Sequence, residues 1–300
     1  MLGWRLLISA ILIPSFAATF WLDHRIGSTA LCLLAICLLL GIRAAWEMCD
    51  LLKARGLVVD PLFAGLCSSF VIASAWADAL GSKTRDDPGL SFAAAGPTAM
   101  AYTACVMLVL MKGAIRYRQP GKSIESLGAE LLTISYTGLL LAITARLRWV
   151  AGADAGYLAL GSLLIAAKSG DVGAYTLGRL FGKRKMAPYL SPGKTWMGAL
   201  GALIASGAGA VLWFQFATPL FGEGWMPCPW YWGLCYGVIV GIAGMIGDLC
   251  ESLIKRDVGR KDASSLLPGF GGVLDLLDSL LYAGPIAYVL WQVMPLATWR

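Results

Sequence analysis

Residues 230–253 read WYWGLCYGVIVGIAGMIGDLCESL. From Trp230 to Gly247 no side chain carries a charge, and the run is long enough to cross a hydrocarbon core as one helix. Further apolar stretches lie at 4–22, 26–46, 61–81, 92–111, 126–147, 155–178, 196–218 and 272–295. Together they predict an all-α polytopic integral membrane protein with about nine transmembrane helices. Composition agrees. Of 300 residues, 58% are hydrophobic and 14% charged, against roughly 45–50% and about 25% in soluble domains. Strands are not expected, because an open sheet edge leaves backbone groups unpaired in lipid and the alternation of a closed barrel is absent. The first run has Arg5 ahead of an apolar core, as a secretory signal does, but Ala17 and Ala18 make a poor processing site. It is read as an uncleaved first span.

The net charge of +6 is a topology signal. Basic residues concentrate in alternate connections: Arg43, Lys53 and Arg55; Lys112, Arg116, Arg118 and Lys122; Arg179, Lys183, Arg184, Lys185 and Lys194; then Lys255, Arg256, Arg260 and Lys261. The other side carries only Arg25, Lys83, Arg85, Arg146, Arg148 and Arg300. The positive-inside rule then places the N-terminus in the cytoplasm and the C-terminus outside, in a cell inner membrane. This distribution argues against nucleic acid as a partner. The single histidine, His24, argues against His-rich zinc sites and Ser-His-Asp triads. The 8 cysteines form no CxxC pair and read as small apolar fillers.

The two halves differ in character. Residues 1–150 read as a scaffold of transmembrane helices, in which Glu47, Asp50 and Asp78 lie near span ends and read as interfacial solvation. Residues 151–300 read as a catalytic region with a cytoplasmic-side site, because the unusual polar residues gather there. Lys168 and Asp171 sit inside the sixth span, three residues apart and on one face. In the eighth span Asp248, Glu251, Ser252 and Lys255 fall on one stripe, and Gly233, Gly237, Gly241, Gly244 and Gly247 form a small-residue face that reads as packing. The ninth opens with Pro268-Gly269-Phe270-Gly271-Gly272, then Asp275 and Asp278 on one face. A glycine turn at a helix start lets backbone N–H groups approach an anion. Ser191-Pro192-Gly193-Lys194-Thr195 invites a P-loop reading, which fails because Pro188 stands where the first glycine is needed and no preceding strand is expected. Lys194 at a helix start can still meet a phosphate. Carboxylates from separate helices suit Mg²⁺, and the basic residues beside them suit a polyphosphate.

These residues resemble the phosphatidate cytidylyltransferase (CDP-diacylglycerol synthase) family. The family pattern Ser-x-x-Lys-Arg, Lys-Asp, Pro-Gly-His-Gly-Gly-x-x-Asp-Arg-x-Asp is met by Ser252, Lys255, Arg256, Lys261, Asp262, Pro268, Gly269, Gly271, Gly272, Asp275 and Asp278. Gly247, Asp248, Leu249 and Glu251 match upstream. So does the segment from Asp171-Val172-Gly173-Ala174-Tyr175 through Gly178-Arg179, Gly182-Lys183 and Ala187-Pro188 to Lys194-Thr195-Trp196. The match covers roughly residues 168–285, and the first half resembles the family only in being hydrophobic and helical. Two departures stand out: Phe270 where the family has His, and Leu276 where it has Arg.

The resemblance implies that CTP and phosphatidate, the partners, give CDP-diacylglycerol and pyrophosphate with Mg²⁺, with room for a second metal ion. It implies metal roles for Asp248 and Asp275, which must then share one cation. Glu251 and Asp278 join them as metal candidates. The catalytic set is Asp248, Ser252, Lys255, Asp275 and Asp278. The substrate- and phosphate-binding set is Asp171, Ser191, Lys194, Thr195, Lys255, Arg256, Lys261 and Asp262. A homodimer is a family expectation that the glycine face permits. Four other readings compete. A CTP-dependent polyprenol- or phytol-type lipid kinase would make lipid phosphate. A transporter would line its path with Lys168 and Asp171. A catalytically impaired member would follow from Phe270 and Leu276. A CDP-alcohol phosphotransferase lacks its Asp-Gly-x-x-Ala-Arg motif here.

Overall fold

The computed structural model describes residues 14–15, 18–23, 25–27, 29–77, 96–121, 123–222, 224–266 and 271–299. The chain is an all-α polytopic membrane protein. Six helical stretches among the described residues are long and apolar enough to cross a bilayer: Leu31–Ala54, Gly96–Arg116, Ser123–Val150, Trp196–Phe221, Trp230–Asp257 and Val273–Val293. Most of the first expected span, 4–22, lies outside the described residues. The third is shorter than expected. Its helix, Pro61–Ser74, has 14 residues and a length of about 21 Å, less than the roughly 30 Å hydrocarbon core. The sixth is a 30-residue helix, Gly152–Phe181, which carries Lys168 and Asp171.

In chain order the helices are α1 (Leu31–Ala54), α2 (Pro61–Ser74), α3 (Gly96–Arg116), α4 (Ser123–Thr133), α5 (Leu140–Ala145), α6 (Leu147–Val150), α7 (Gly152–Phe181), α8 (Trp196–Ala217), α9 (Trp230–Asp257) and α10 (Val273–Val293). A π-helical stretch, Ile134–Leu139, joins α4 to α5. The chain divides into two compact units, Met1–Ala145 with Asp257–Leu276, and Arg146–Arg256 with Leu277–Arg300.

In the first unit, helix starts are capped by carboxylates. Asp23 accepts from the backbone N–H groups of Cys32 and Leu33, both at 2.9 Å, at the head of α1. Asp60 accepts from Leu62 and Phe63 at the head of α2, with Pro61 in the first turn. The π-helical stretch brings Gly138 against Ser68, where an added Cβ would lie 2.9 Å from the Ser68 Cα. The Ser68 and Thr137 hydroxyls share a hydrogen bond of 3.1 Å across that contact. Lys112 is held between the Glu130 carboxylate, at 2.5 Å, and the Phe63 ring, 4.0 Å from its centroid.

In the second unit, α7 and α8 pack backbone to backbone. A Cβ on Gly201 would meet the Cβ of Leu177 at 2.8 Å. Deeper in, Ser162 shares a hydrogen bond of 2.8 Å with the Tyr236 hydroxyl and accepts one of 3.1 Å from the Trp291 indole N–H. Phe214 stands edge-on to Tyr236 with ring centroids 5.4 Å apart.

Strands do occur. β1 (Lys185–Ala187) pairs with β2 (Ser191–Thr195), and β3 (Trp225–Pro227) pairs with β4 (Ala297–Trp299), both antiparallel. The expectation of no strand came from a rule for the hydrocarbon interior. It does not govern connections, where water can satisfy the free edges of a short hairpin.

Candidate active site

The glycine face of α9 divides between two partners in the second unit. Gly233, Gly237 and Gly241 face α8, around Val211, Ala210 and Ser206. Gly244 and Gly247 face α10. A Cβ on Gly247 would lie 2.6 Å from the Tyr282 Cβ and 2.7 Å from the Asp278 carbonyl oxygen. Packing is therefore what these glycines do, as their spacing predicts, and the packing has a consequence. It sets Asp248, the next residue on α9, within electrostatic reach of Asp278. The charges acting on the Asp278 carboxylate are Asp248 and Asp171, of like sign, and Lys168, of opposite sign. Lys168 donates to Asp171 Oδ2 at 2.9 Å and to Ser279 Oγ at 3.4 Å, so it ties α7 to α10. Lys194 pairs with Asp248 Oδ2 at 2.8 Å, and Ser252 Oγ donates to Asp248 Oδ1 at 3.4 Å.

One turn further along α9, Glu251 and Lys255 form an ion pair of 2.5 Å in which both are buried, at 0% and 9% exposure. The expected stripe of Asp248, Glu251, Ser252 and Lys255 is thus present, with Lys255 committed to Glu251. Arg256 is exposed and donates through Nε to the Leu190 carbonyl at 3.2 Å, which pins the turn between β1 and β2 to the end of α9. Ser191 sits in register with Ala187. Thr195 caps α8, its Oγ1 accepting from Gly198 N–H at 3.1 Å. A strand does lead into α8, contrary to expectation. It is no P-loop, since the Gly-Lys-Thr lies within the strand and Pro188 precedes it.

The segment 257–276 belongs to the first unit, and so do Lys261, Asp262 and Asp275. Lys261 and Asp262 are exposed. Asp275 Oδ2 accepts from the backbone N–H groups of Ala263 at 2.9 Å and Gly272 at 2.7 Å. The second bond is a capping contact from the third helical residue back to the residue before α10. Gly271 has φ +96°, a conformation other residues rarely adopt. Leu276 is half-buried. Pro268, Gly269 and Phe270 lie outside the described residues, as do Asp78 and His24.

Glu47 departs from its expected role. It is 1% exposed. Its Oε1 accepts from Ser264 Oγ at 2.8 Å and pairs with Arg43 at 3.1 Å, and its Oε2 accepts from Leu274 N–H at 2.8 Å. This is an anchor for the loop ahead of α10, not interfacial solvation. The one signal in the sequence is an acidic residue with an arginine four positions before it inside an apolar helix. Asp50 is exposed and lies 4.0 Å from Arg260. Arg55 pairs with Asp257.

Among the described residues no three Asp, Glu, His or Cys side chains gather as a ready-made metal cage. Mg²⁺ does not need one, since it is commonly held by one or two carboxylates, waters and substrate phosphates. The acidic groups of the second unit that act on one another are Asp248 and Asp278, with Lys194 paired to Asp248 and Lys168 acting on Asp278.

The sequence model of the Cytidylyltransferase family matches residues 4–294. The chain belongs to that family. The match extends well beyond 168–285 and takes in the first half, Glu47 included. The chain is 41% identical over 133 residues to a phosphatidate cytidylyltransferase of Mycobacterium leprae, covering 44% of this chain and 40% of that protein. It is 43% identical over 120 residues to one of Haemophilus influenzae, covering 38% and 39%. It is 38% identical over 135 residues to one of Brucella suis, covering 45% and 47%. The chain thus spans less than half the length of these curated relatives.

Proposed function

We propose that the chain is a phosphatidate cytidylyltransferase of a cell inner membrane, with its site on the cytoplasmic side. A phosphate oxygen of phosphatidate attacks the α-phosphorus of CTP. The bond from that phosphorus to the bridging oxygen breaks, and pyrophosphate leaves with the electron pair. The observation that carries the reading is the cluster on α7, α9, α10 and the end of β2. Asp248 and Asp278 lie there in one field with Lys168 and Lys194.

The nucleophile needs no strong base. The second pKa of a phosphate monoester is about 6, so the attacking group is largely dianionic near neutral pH. A phenylalanine at 270 is compatible with that. The harder task is to bring two anions together. Asp248, Asp278 and, by resemblance, Asp275 and Glu251 are the metal candidates. A divalent cation bound by such carboxylates would neutralise the triphosphate and the leaving pyrophosphate. Lys194, Arg256 and Lys261 meet phosphates, and Lys255 joins them on leaving Glu251. Lys194 waits on Asp248 at 2.8 Å and exchanges that partner for phosphate when nucleotide arrives. Ser252 orients Asp248, Glu251 orients Lys255, and Asp171 holds Lys168. Ser191, Thr195 and Asp262 shape the edges of the phosphate site, Thr195 by fixing the start of α8.

The test is product analysis with purified protein, phosphatidate, Mg²⁺ and CTP labelled in either the base or the γ-phosphate. The expected product is lipid-soluble cytidine with released pyrophosphate. Transfer of the γ-label to lipid, with CDP released, would replace this reading with a lipid kinase.

A further inference from the structure

We propose that Glu47 is a positioning residue of the active site, locking the Gly271–Gly272 turn and thereby fixing the Asp275 carboxylate. This rests on the metal role given to Asp275 above. Glu47 meets Ser264 and Leu274 across sequence separations of 217 and 227 residues, and all of these residues belong to the first unit. The first N–H groups of a helix have no partner within it, and a carboxylate at that end is favoured by the helix dipole. At the head of α10 two carboxylates divide that work. Asp275 takes the N–H of Gly272, and Glu47 takes the N–H of Leu274. The Asp275 oxygen that takes Gly272 also takes Ala263, one residue from the Ser264 hydroxyl that Glu47 accepts. Each side of the turn is therefore held twice, once by each acid.

An apolar residue at 47 would anchor the loop by burial alone. A carboxylate, costly to bury without partners, fixes two separate points at defined distances. It also explains the second glycine. Gly271 is favoured by its φ of +96°, whereas at Gly272 an added Cβ would sit 2.7 Å from Glu47 Cδ, so a side chain there would push the carboxylate off the partners it holds. Arg43, 37% exposed at 3.1 Å, supplies the counter-charge.

The test compares wild type, Glu47→Gln and Glu47→Asp in lipid nanodiscs by amide hydrogen exchange, Mn²⁺ binding by electron paramagnetic resonance, and the Mg²⁺ dependence of cytidylyl transfer. In Glu47→Gln, exchange at 272–274 should rise and metal affinity fall, each by about tenfold, the effect of losing one hydrogen bond to a charged group. Exchange in α7 and α8 should not change, and saturating Mg²⁺ should restore most of kcat. Glu47→Asp, which keeps the charge on a shorter stem, should fall between. A lower kcat with unshifted metal affinity would make Glu47 merely structural and overturn the proposal, and so would unchanged exchange at 272–274. If Glu47→Gln does not fold, Ser264→Ala leaves the acid in place and removes its bond from the hydroxyl, together with the bond that hydroxyl accepts from Leu266 N–H at 3.3 Å. It should move exchange and Mn²⁺ affinity in the same direction, and no movement overturns the proposal. If wild type transfers no cytidylyl group, the enzymatic reading fails by itself, while exchange and Mn²⁺ binding still decide the lock.

Discussion

The contact between Gly247 and α10 can be tested against its neighbour one turn away. A methyl at 247 would lie 2.6 Å from the Tyr282 Cβ and 2.7 Å from the Asp278 carbonyl oxygen. Neither atom can rotate aside, since one is the first side-chain atom and the other is backbone. Ordinary contact begins at 3.4 Å, so α9 and α10 must separate by about 0.8 Å, the difference between 3.4 and 2.6. Overpacking of this kind costs about 1–3 kcal/mol. A displacement of about 1 Å at a reacting site costs on the order of a hundredfold in rate, and here it parts Asp248 from Asp278. Gly244→Ala is the control. Its Cβ would meet only the Ser279 Cβ at 3.5 Å, an ordinary contact, and alanine favours the helix by up to about 1 kcal/mol. Purified variants should be compared by thermal unfolding and by cytidylyl transfer from labelled CTP. Gly247→Ala should unfold at lower temperature and lose about a hundredfold in rate, with Gly244→Ala within about threefold of wild type. Equal behaviour of the two variants would refute the claim that close helix approach sets the distance between the carboxylates.

Asp275→Asn should insert and fold, because an amide oxygen can still accept from Ala263 and Gly272. On the metal role proposed for Asp275 it should lose turnover by at least about a hundredfold, since the amide keeps the shape but not the negative charge that balances the cation. Full rate in the purified variant would remove the metal assignment. Phe270→His should leave activity within about tenfold, or about 1.4 kcal/mol, and a much larger gain would show that a histidine there does work the dianionic nucleophile does not supply. Thr195→Ala should lower stability by about 1 kcal/mol through the lost cap on α8, whereas Thr195→Ser keeps it. Equal melting of the two would disprove the capping role.

What the sequence makes legible follows the range of the interactions. Long apolar runs announce helices because lipid imposes one rule on every residue in them. The stripe from Asp248 to Lys255 is legible because helical spacing alone puts those residues on one face, and the ion pair of Glu251 with Lys255 follows from a separation of four. The division of the glycine face between α8 and α10 is not legible, since one spacing serves both partners. The β1–β2 hairpin was missed because its strands have only 3 and 5 residues, too few for a period to register.

Glu47 was missed for a deeper reason. Its distant partners are a loop hydroxyl and a backbone N–H in the first turn of α10, each more than two hundred residues away, and neither leaves a mark in local composition. An acid near a helix end usually is solvated, and Asp50, three residues later, is exposed. Burial separates the two, and burial is a tertiary property. The glycine at 272 carries the trace of the contact. Its neighbour Gly271 has the backbone angle that demands glycine, and Gly272 does not. What lies opposite its missing side chain is the Glu47 carboxylate. Gly272→Ala should then be tolerated better when Glu47 is shortened to Asp than when it is intact, as measured by thermal unfolding of the two single variants and the double. If the two substitutions add without coupling, the glycine answers to something else. Coupling of about 0.5 kcal/mol or more, the usual threshold for residues in contact, would tie the second half of the loop signature to a residue in the first helix.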